Sequence, residues 1–278
     1  VPNFFAKSLR HGETKTIGLV LPDISNPFYA ELCKTIQEKL YNSGYNTFIV
    51  NTNDDKDLEK VLMTELIQRS IDGMIIAPSN HIDDLVPILI ATHIPVVFAD
   101  RPGDENADFV GIDNKKESEN IISLFSIKPK KVISLVPVPS NVSTIRARIN
   151  GIQSSCKSSE IEFNSVELPL EQDKIDELIK QEIENGGDSF ITLNNKCTLP
   201  VLSALKKLNI EVPKDVRLIS FDDNDSFDYM NPPISALKLP INEIGLKSVE
   251  RLYERLKESK APGEHFFLDC DFQSRGSH

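Results

Sequence analysis

The sequence predicts an α/β protein of two similar lobes, each a parallel sheet with helices on its faces. Three observations predict it. Short apolar runs alternate with longer stretches whose apolar residues recur at helical spacing, the grammar of strand–helix–strand units with right-handed crossovers. That grammar runs from about Thr14 to Ile112 and then starts again. Polar residues collect where the apolar runs end, at the sheet edge where open α/β folds hold small ligands.

Ile17–Leu21 is the first strand, an unbroken apolar run that suits burial on both faces of a parallel sheet. It delivers Pro22-Asp23-Ile24-Ser25-Asn26-Pro27, where two prolines cannot extend a ladder. Phe28 and Tyr29 then open a helix over 28–41, with Leu32, Ile36 and Leu40 on one stripe and a stop at Asn42-Ser43-Gly44. Strand Asn46–Asn51 leads to a helix over 56–70 and strand Gly73–Ala77. A short helix near 82–91, strand Pro95–Ala99 and strand Phe109–Ile112 finish the first run.

The second run opens with a helix over 115–126 and strand Lys131–Val136. A proline-rich loop and a helix over 143–157 follow. Strand Ser165–Leu168, a helix over 172–184, strand Ser189–Leu193, a helix over 197–208 and strand Val216–Ser220 continue it. Ile241–Lys257 is one more amphipathic helix and Phe266–Asp269 a last strand. Residues 1–12, VPNFFAKSLRHG, read instead as a short basic helix that is marginal alone in water, with Pro2 suited to its first turn and Gly12 to its end.

At 278 residues the chain has length for about two domains. Its 40% hydrophobic and 26% charged content is that of a globular protein. A formal charge of −11 excludes the body of the chain as a nucleic-acid surface, because phosphate contacts need clustered lysine and arginine. No apolar run approaches the roughly 20 residues of a membrane span, and no signal peptide is visible. Cysteines 33, 156, 197 and 270 are scattered, which fits reduced thiols in a cytoplasmic protein.

The strand ends carry the candidate binding groups: the 22–29 loop with Phe28, Asp100-Arg101, Asn194-Asn195 and Asp222-Asp223, with Arg148 on the helix after strand 131–136. Carboxylates and amides accept from hydroxyls, guanidinium donates in a fork, and an aromatic face covers a sugar ring. Chemistry is poorly represented. There is no GxGxxG, Walker loop or GxSxG elbow. Histidines 11, 81, 93, 265 and 278 sit at no metal-ligand spacing. The adjacent carboxylates Asp222 and Asp223 are expected to point apart rather than work as an acid–base pair. The expectation is binding without turnover, with no cofactor and no metal.

With these residues laid out, the chain resembles the LacI/GalR family of bacterial transcription regulators. PNFFAKSLR is similar to that family's hinge, and TIGLVLPDISNPFYAEL with SIDGMIIAP to its first lobe. IPVVFADRPG is similar to its strand ending in Asp-Arg, GIDN to its first crossover, Arg148-Ile149-Asn150-Gly151 to its Arg-x-x-Gly helix, and VPKDVRLISFDD to its closing signature. The resemblance implies a periplasmic-binding-protein-like (type I) α/β fold with two Rossmann-like parallel-sheet lobes and crossovers between them. The expected division is a hinge at 1–13, an N-terminal lobe from 14–112 and 241–264, and a C-terminal lobe from 113–240 and 265–278.

It further implies an effector site between the lobes formed by Phe28, Asp100, Arg101, Arg148, Asn194 and Asp222, a homodimer, and operator DNA bound through an amino-terminal helix-turn-helix headpiece. Only about a dozen residues precede the first strand here, so the chain reads as hinge and effector domain. In the hinge, Leu9 matches the residue that wedges into the minor groove, with Lys7, Ser8 and Arg10 beside it. Three positions depart from the family pattern: Asn195 where an Asp is usual, Ser220 where a Gly precedes FDD, and Leu239 where a Gln is common. The function expected is a repressor's effector-binding and dimerisation domain, sensing a small polar molecule, most simply a sugar. A periplasmic sugar-binding protein of a transporter is the alternative, and a sugar-processing enzyme on the same fold a third reading.

Overall fold

The computed structural model describes residues 14–79, 86–257 and 262–278. The hinge expected at 1–13, with Lys7, Ser8, Leu9 and Arg10, lies outside the described residues, as does the start of the helix expected near 82–91. The chain forms two compact units. One runs up to Gly111 and resumes over Ile241–Leu268; the other is Ile112–Pro240 with Asp269–His278. The strand at 265–268, expected in the second lobe, therefore belongs to the first, where it is hydrogen-bonded to the strand at Asp108–Ile112.

In the first unit the strands are β1 (Thr16–Leu21), β2 (Asn46–Asn51), β3 (Gly73–Ile76), β4 (Val96–Ala99), β5 (Asp108–Ile112) and β11 (His265–Leu268), in the sheet order β11-β5-β4-β3-β1-β2. The β1–β2, β1–β3, β3–β4 and β4–β5 pairs are parallel. Every residue of β1 is buried, as its unbroken apolar run requires. The helices are α1 (Pro27–Asn42), α2 (Lys56–Gln68), α3 (Val86–Thr92) and α8 (Ile241–Lys257). Asn26 caps α1 by accepting from the Phe28 N–H at 3.0 Å, and Pro27 fills the first turn, where no N–H is needed. Gly44, at φ +81°, turns the chain out of α1. Asp55 caps α2 in the same way, accepting from the Asp57 and Leu58 N–H groups.

Helix α8 is bound to this unit by charge as well as by packing. The fully buried Asp108 of β5 accepts from Arg251 Nη2 at 2.8 Å, from Arg255 Nη2 at 3.1 Å and from the Glu264 N–H at 2.9 Å, with a further contact from Arg255 Nε.

The second unit repeats the plan with β6 (Lys131–Val136), β7 (Glu162–Glu167), β8 (Ser189–Thr192), β9 (Arg217–Phe221), β10 (Ser235–Lys238) and β12 (Asp271–Gln273), in the order β12-β10-β9-β8-β6-β7. β12 runs antiparallel to β10, while the β10–β9, β9–β8, β8–β6 and β6–β7 pairs are parallel. Its helices are α4 (Asn114–Asn120), α5 (Ser143–Ser158), α6 (Gln172–Glu184) and α7 (Asn195–Lys207). The core gathers Ile133, Ile179, Phe190, Val201, Leu218 and Ile234, all fully buried. The helix expected over 115–126 is instead α4 followed by a 3-10 turn at Ile121–Leu124. β7 begins three residues before the expected strand, and β10 and β12 fall where no strand is expected.

Candidate functional site

Each unit brings a set of polar side chains together at the carboxyl edge of its own sheet. In the first unit β1 delivers the α1 start and β4 delivers Asp100 and Arg101. Phe28 and Tyr29 are each 5% exposed, and their rings meet edge to face with centroids 4.9 Å apart. Tyr29 Oη donates to Asp100 Oδ2 at 2.7 Å. Burial foremost, and the adjacent Asp100 carboxylate, lift the Tyr29 phenol well above its ordinary pKa, against the pull of Arg101, so the phenol stays protonated and remains a donor. Asp100 holds a left-handed backbone, φ +65°, which turns its side chain out of the strand path.

Arg101 is as buried as Asp100. Its guanidinium pairs with Asp54, with Nη2 3.4 Å from Asp54 Oδ2, and Nη1 also donates to the Pro78 carbonyl at 3.2 Å. It lies 5.7 Å from the centroid of the Tyr29 ring. Its Nε is buried with no hydrogen-bond partner among the described residues. Asp54 and Asn53 both take left-handed φ values, +56° and +54°, in the turn after β2.

In the second unit the centre is Arg148, 4% exposed on α5. The Arg-x-x-Gly spacing explains where it sits. A Cβ on Gly151 would lie 2.4 Å from the Lys115 carbonyl oxygen, so only glycine lets α5 press onto α4. One turn earlier, that approach sets Arg148 against Asn114. Arg148 Nε donates to Asn114 Oδ1 at 2.8 Å, and Nη1 donates to the Leu193 carbonyl at 2.6 Å and lies 3.5 Å from Asp222 Oδ1. The guanidinium carbon is 4.1 Å from the centroid of the Phe221 ring. Asp222 repeats the Asp100 device at the end of β9: φ +65° and nearly full burial. Asp223 turns the other way, to Arg275, at 2.8 and 3.1 Å, so the two carboxylates do point apart.

Asn194 stands at the end of β8, but its side-chain oxygen accepts from the Cys197 N–H at 3.1 Å and caps α7. One of the two acceptor positions of that oxygen is therefore taken by the helix cap. Ser220 is fully buried; its hydroxyl lies 2.8 Å from Thr198 Oγ1, itself 2.8 Å from Thr192 Oγ1, and is within reach of the Phe221 and Asp222 carbonyls at 2.9 and 3.2 Å.

The structure thus groups Phe28, Asp100 and Arg101 in the first unit, and Arg148, Asn194 and Asp222 in the second. Sequence reasoning missed Tyr29 as a hydrogen-bond donor, Asp54, Asn114 and Cys270. The last is close enough to Arg148 and Asp222 to feel both charges; burial first, then the neighbouring carboxylates, pushes its thiol up to about 12. The Asn51–Asp55 turn, with four polar residues around Thr52, was a signal for Asp54 that was not taken up. Nothing local marks Cys270.

Two doubly wound units with polar groups at their strand ends define a ligand-binding protein of the periplasmic-binding-protein-like type I fold. Residues 14–275 match the family described as periplasmic binding proteins and sugar binding domain of the LacI family. The chain belongs to that family. It is 25% identical over 286 residues to the HTH-type transcriptional repressor PurR of Aliivibrio fischeri, covering 99% of this chain and 85% of the relative. A LacI family transcriptional regulator from Enterococcus faecium with bound ribose superposes with a TM-score of 0.83 at 22% identity, over 94% of this chain and 98% of that one. A periplasmic binding protein/LacI transcriptional regulator from Alkaliphilus metalliredigens complexed with D-xylulofuranose gives 0.83 at 24%, over 95% and 98%. The relatives are named as transcriptional repressors and regulators, which favours the regulator's effector domain over the transporter alternative. Among the described residues no helix is long and apolar enough to cross a membrane.

Proposed function

We infer that the chain is the sensing domain of a cytoplasmic, DNA-binding repressor, and that it binds a small sugar through the polar groups at the strand ends. The observation that carries this reading is the fixed posture of Arg148. Three protein acceptors and the Phe221 ring hold it, so a ligand meets a donor fork whose geometry is set in advance. Asp100 and Asp222, both turned out at strand ends, supply acceptors for sugar hydroxyls, and Phe28 an apolar face. The buried Nε of Arg101 is one more donor suited to a ligand oxygen. The binding of ribose and D-xylulofuranose by proteins of the same fold makes pentoses the first candidates.

Binding would proceed without turnover. A sugar shifts such a protein only through its differential affinity for two conformations, and the hinge residues Lys7, Ser8, Leu9 and Arg10 would pass that difference to operator DNA. A homodimer belongs to the same reading, through the edge strand β2, where Phe48 is 46% and Ile49 44% exposed. The test is a thermal-shift screen of pentoses, hexoses, sugar phosphates and purines, followed by calorimetry on each hit. A stabilising sugar that is recovered unchanged supports the reading. Stabilisation by purines alone would replace the sugar, and chemical conversion of the ligand would replace binding by catalysis.

A further inference from the structure

A hollow lies in the first unit at the amino edge of its sheet, where the strands begin. Its volume is about 1000 Å³, at the upper end of small-molecule sites. Lys15, Tyr45, Asp72 and Pro95 precede β1, β2, β3 and β4 in turn, and all four line it. The last turns of α8 supply Tyr253, Leu256 and Lys257. No residue of the Asp100 or Arg148 groups takes part.

The lining has a definite chemistry. Its apolar part is Ile67, Ile71 and Ile94, with Ile71 4% exposed. Tyr45 and Tyr253 offer ring faces whose centroids are 5.7 Å apart and whose planes differ by 33°. The Lys15 ammonium stands 4.8 Å from the centroid of the Tyr45 ring, and Lys257 adds a second, exposed cation. Asp72 is the carboxylate among these lining residues, and both its oxygens are turned to Thr14 and Lys15. Oδ1 accepts from the Thr14 N–H at 2.8 Å and hydroxyl at 3.0 Å, and Oδ2 accepts from the Lys15 N–H at 2.8 Å.

We propose that this hollow is a second ligand site and that it takes an aromatic carboxylate. Two ammonium groups beside an apolar, ring-lined space select a flat apolar body bearing negative charge. A sugar wants the reverse: acceptors for its many hydroxyls, where the carboxylate here is already engaged. The site also touches the anchor of the amino-terminal segment. Asp72 and the Ser70 carbonyl, which accepts from Thr14 Oγ1 at 2.9 Å, hold the first described residue of the chain. A ligand against Asp72 and Ser70 therefore bears directly on how Thr14 is held. The proposal stands apart from the sugar reading and survives its failure.

The test uses 4-fluorobenzoate observed by fluorine NMR, with uncharged 4-fluorobenzamide as its counterpart. The expected result is a benzoate line that shifts and broadens with protein at about millimolar affinity or tighter, and a benzamide that binds about three- to tenfold more weakly. Lys257→Glu, at an exposed position, weakens the benzoate by a similar factor and leaves the benzamide unchanged. Ile94→Trp, which fills the apolar part, removes both signals while circular dichroism stays native. Ribose added in excess leaves the benzoate line where it was. A benzoate line that ignores the protein, or one equally affected by the wild type and Lys257→Glu, overturns the site.

Discussion

Arg148 Nε donates to Asn114 Oδ1 at 2.8 Å, so the central guanidinium of the second unit is oriented by an amide from the first turn of α4. Nη1 is occupied as well, by the Leu193 carbonyl. The expected consequence is that Arg148 cannot be exchanged for lysine. Arg148→Lys keeps the charge near Asp222 but loses the fork, and a single ammonium cannot serve Asn114 and Leu193 at their present angles. Sugar affinity should fall at least about tenfold, with stability lowered by about 1–2 kcal/mol for the lost hydrogen bonds. Asn114→Ala should produce a smaller loss in the same direction, since only the orienting contact goes. Calorimetry on the sugar found by screening, beside urea titrations, reads both; unchanged affinity in Arg148→Lys would remove the fork from the site.

The buried hydroxyls of Thr192, Thr198 and Ser220 form a chain that ends at the Asp222 carbonyl. The family's glycine at position 220 would leave Thr198 with a contact fewer. Ser220→Ala isolates the hydroxyl without adding the backbone freedom of glycine. It is expected to destabilise the protein by about 1–3 kcal/mol, because fully buried hydrogen-bonding groups lose their partner. Asp222 would also lose a support of its left-handed turn, so sugar affinity should drop along with stability. A Ser220→Ala protein with wild-type urea midpoint would show that the hydroxyl chain contributes nothing.

How much of this was legible in the sequence follows from where each signal lies. β1, β3 and β4 read clearly because strands buried on both faces leave long apolar runs, and β8 and β9 carry shorter ones. β7, a half-exposed edge strand with Asn164 and Ser165 at its centre, carries no such run, and its start was misplaced. β10 and β12 are too short for a period to show. The strand at 265–268 joins the first unit's sheet, and nothing local in the sequence says which sheet an isolated strand will join. The site divides in the same way. Asp100, Arg101 and Asp222 were readable as polar residues following apolar runs. Tyr29 and Asn114 matter through contacts made across the fold, and only Gly151, whose lack of a side chain lets α5 meet α4, hints at one of them.

Asp108 sets an acid limit on the first unit. Burial pushes its carboxyl up, but hydrogen bonds from Arg255 and Arg251, with the Glu264 N–H, outweigh that and hold it below the usual carboxylate range. A lowered folded-state value means that the ionised form stabilises the fold. That contribution is complete above the ordinary carboxylate pKa of about 4 and is lost as pH falls through the lowered value. Asp108→Asn removes the buried carboxylate that Arg251 and Arg255 share, while Arg251 keeps Glu254 and Glu264, and should destabilise the protein by about 1.5–3 kcal/mol at neutral pH. The gap between variant and wild type should narrow as the acid limb is descended. Urea titrations in steps from pH 7 downward measure it, and a gap that stays constant to the lowest pH would mean the carboxylate charge is not what binds α8 to β5.

The edge strand β2 bears on oligomeric state. Phe48 and Ile49 are exposed on it, and Tyr41 at the end of α1 and Val61 on α2 are 69% and 54% exposed in the same unit. An open strand edge with exposed apolar side chains is a surface that proteins ordinarily cover, charge or shorten. Covering by a second copy of the chain is the outcome expected for a dimeric regulator. Ile49→Lys, and Phe48→Lys beside it, place charge on that edge. Because both positions are exposed, each substitution should change the stability of the isolated chain by no more than about 0.5 kcal/mol. Sedimentation equilibrium should then report one chain for the double variant where the wild type gives two. A variant that sediments as the wild type does would place the dimer contact elsewhere, and a monomeric wild type would remove the homodimer from the proposed function.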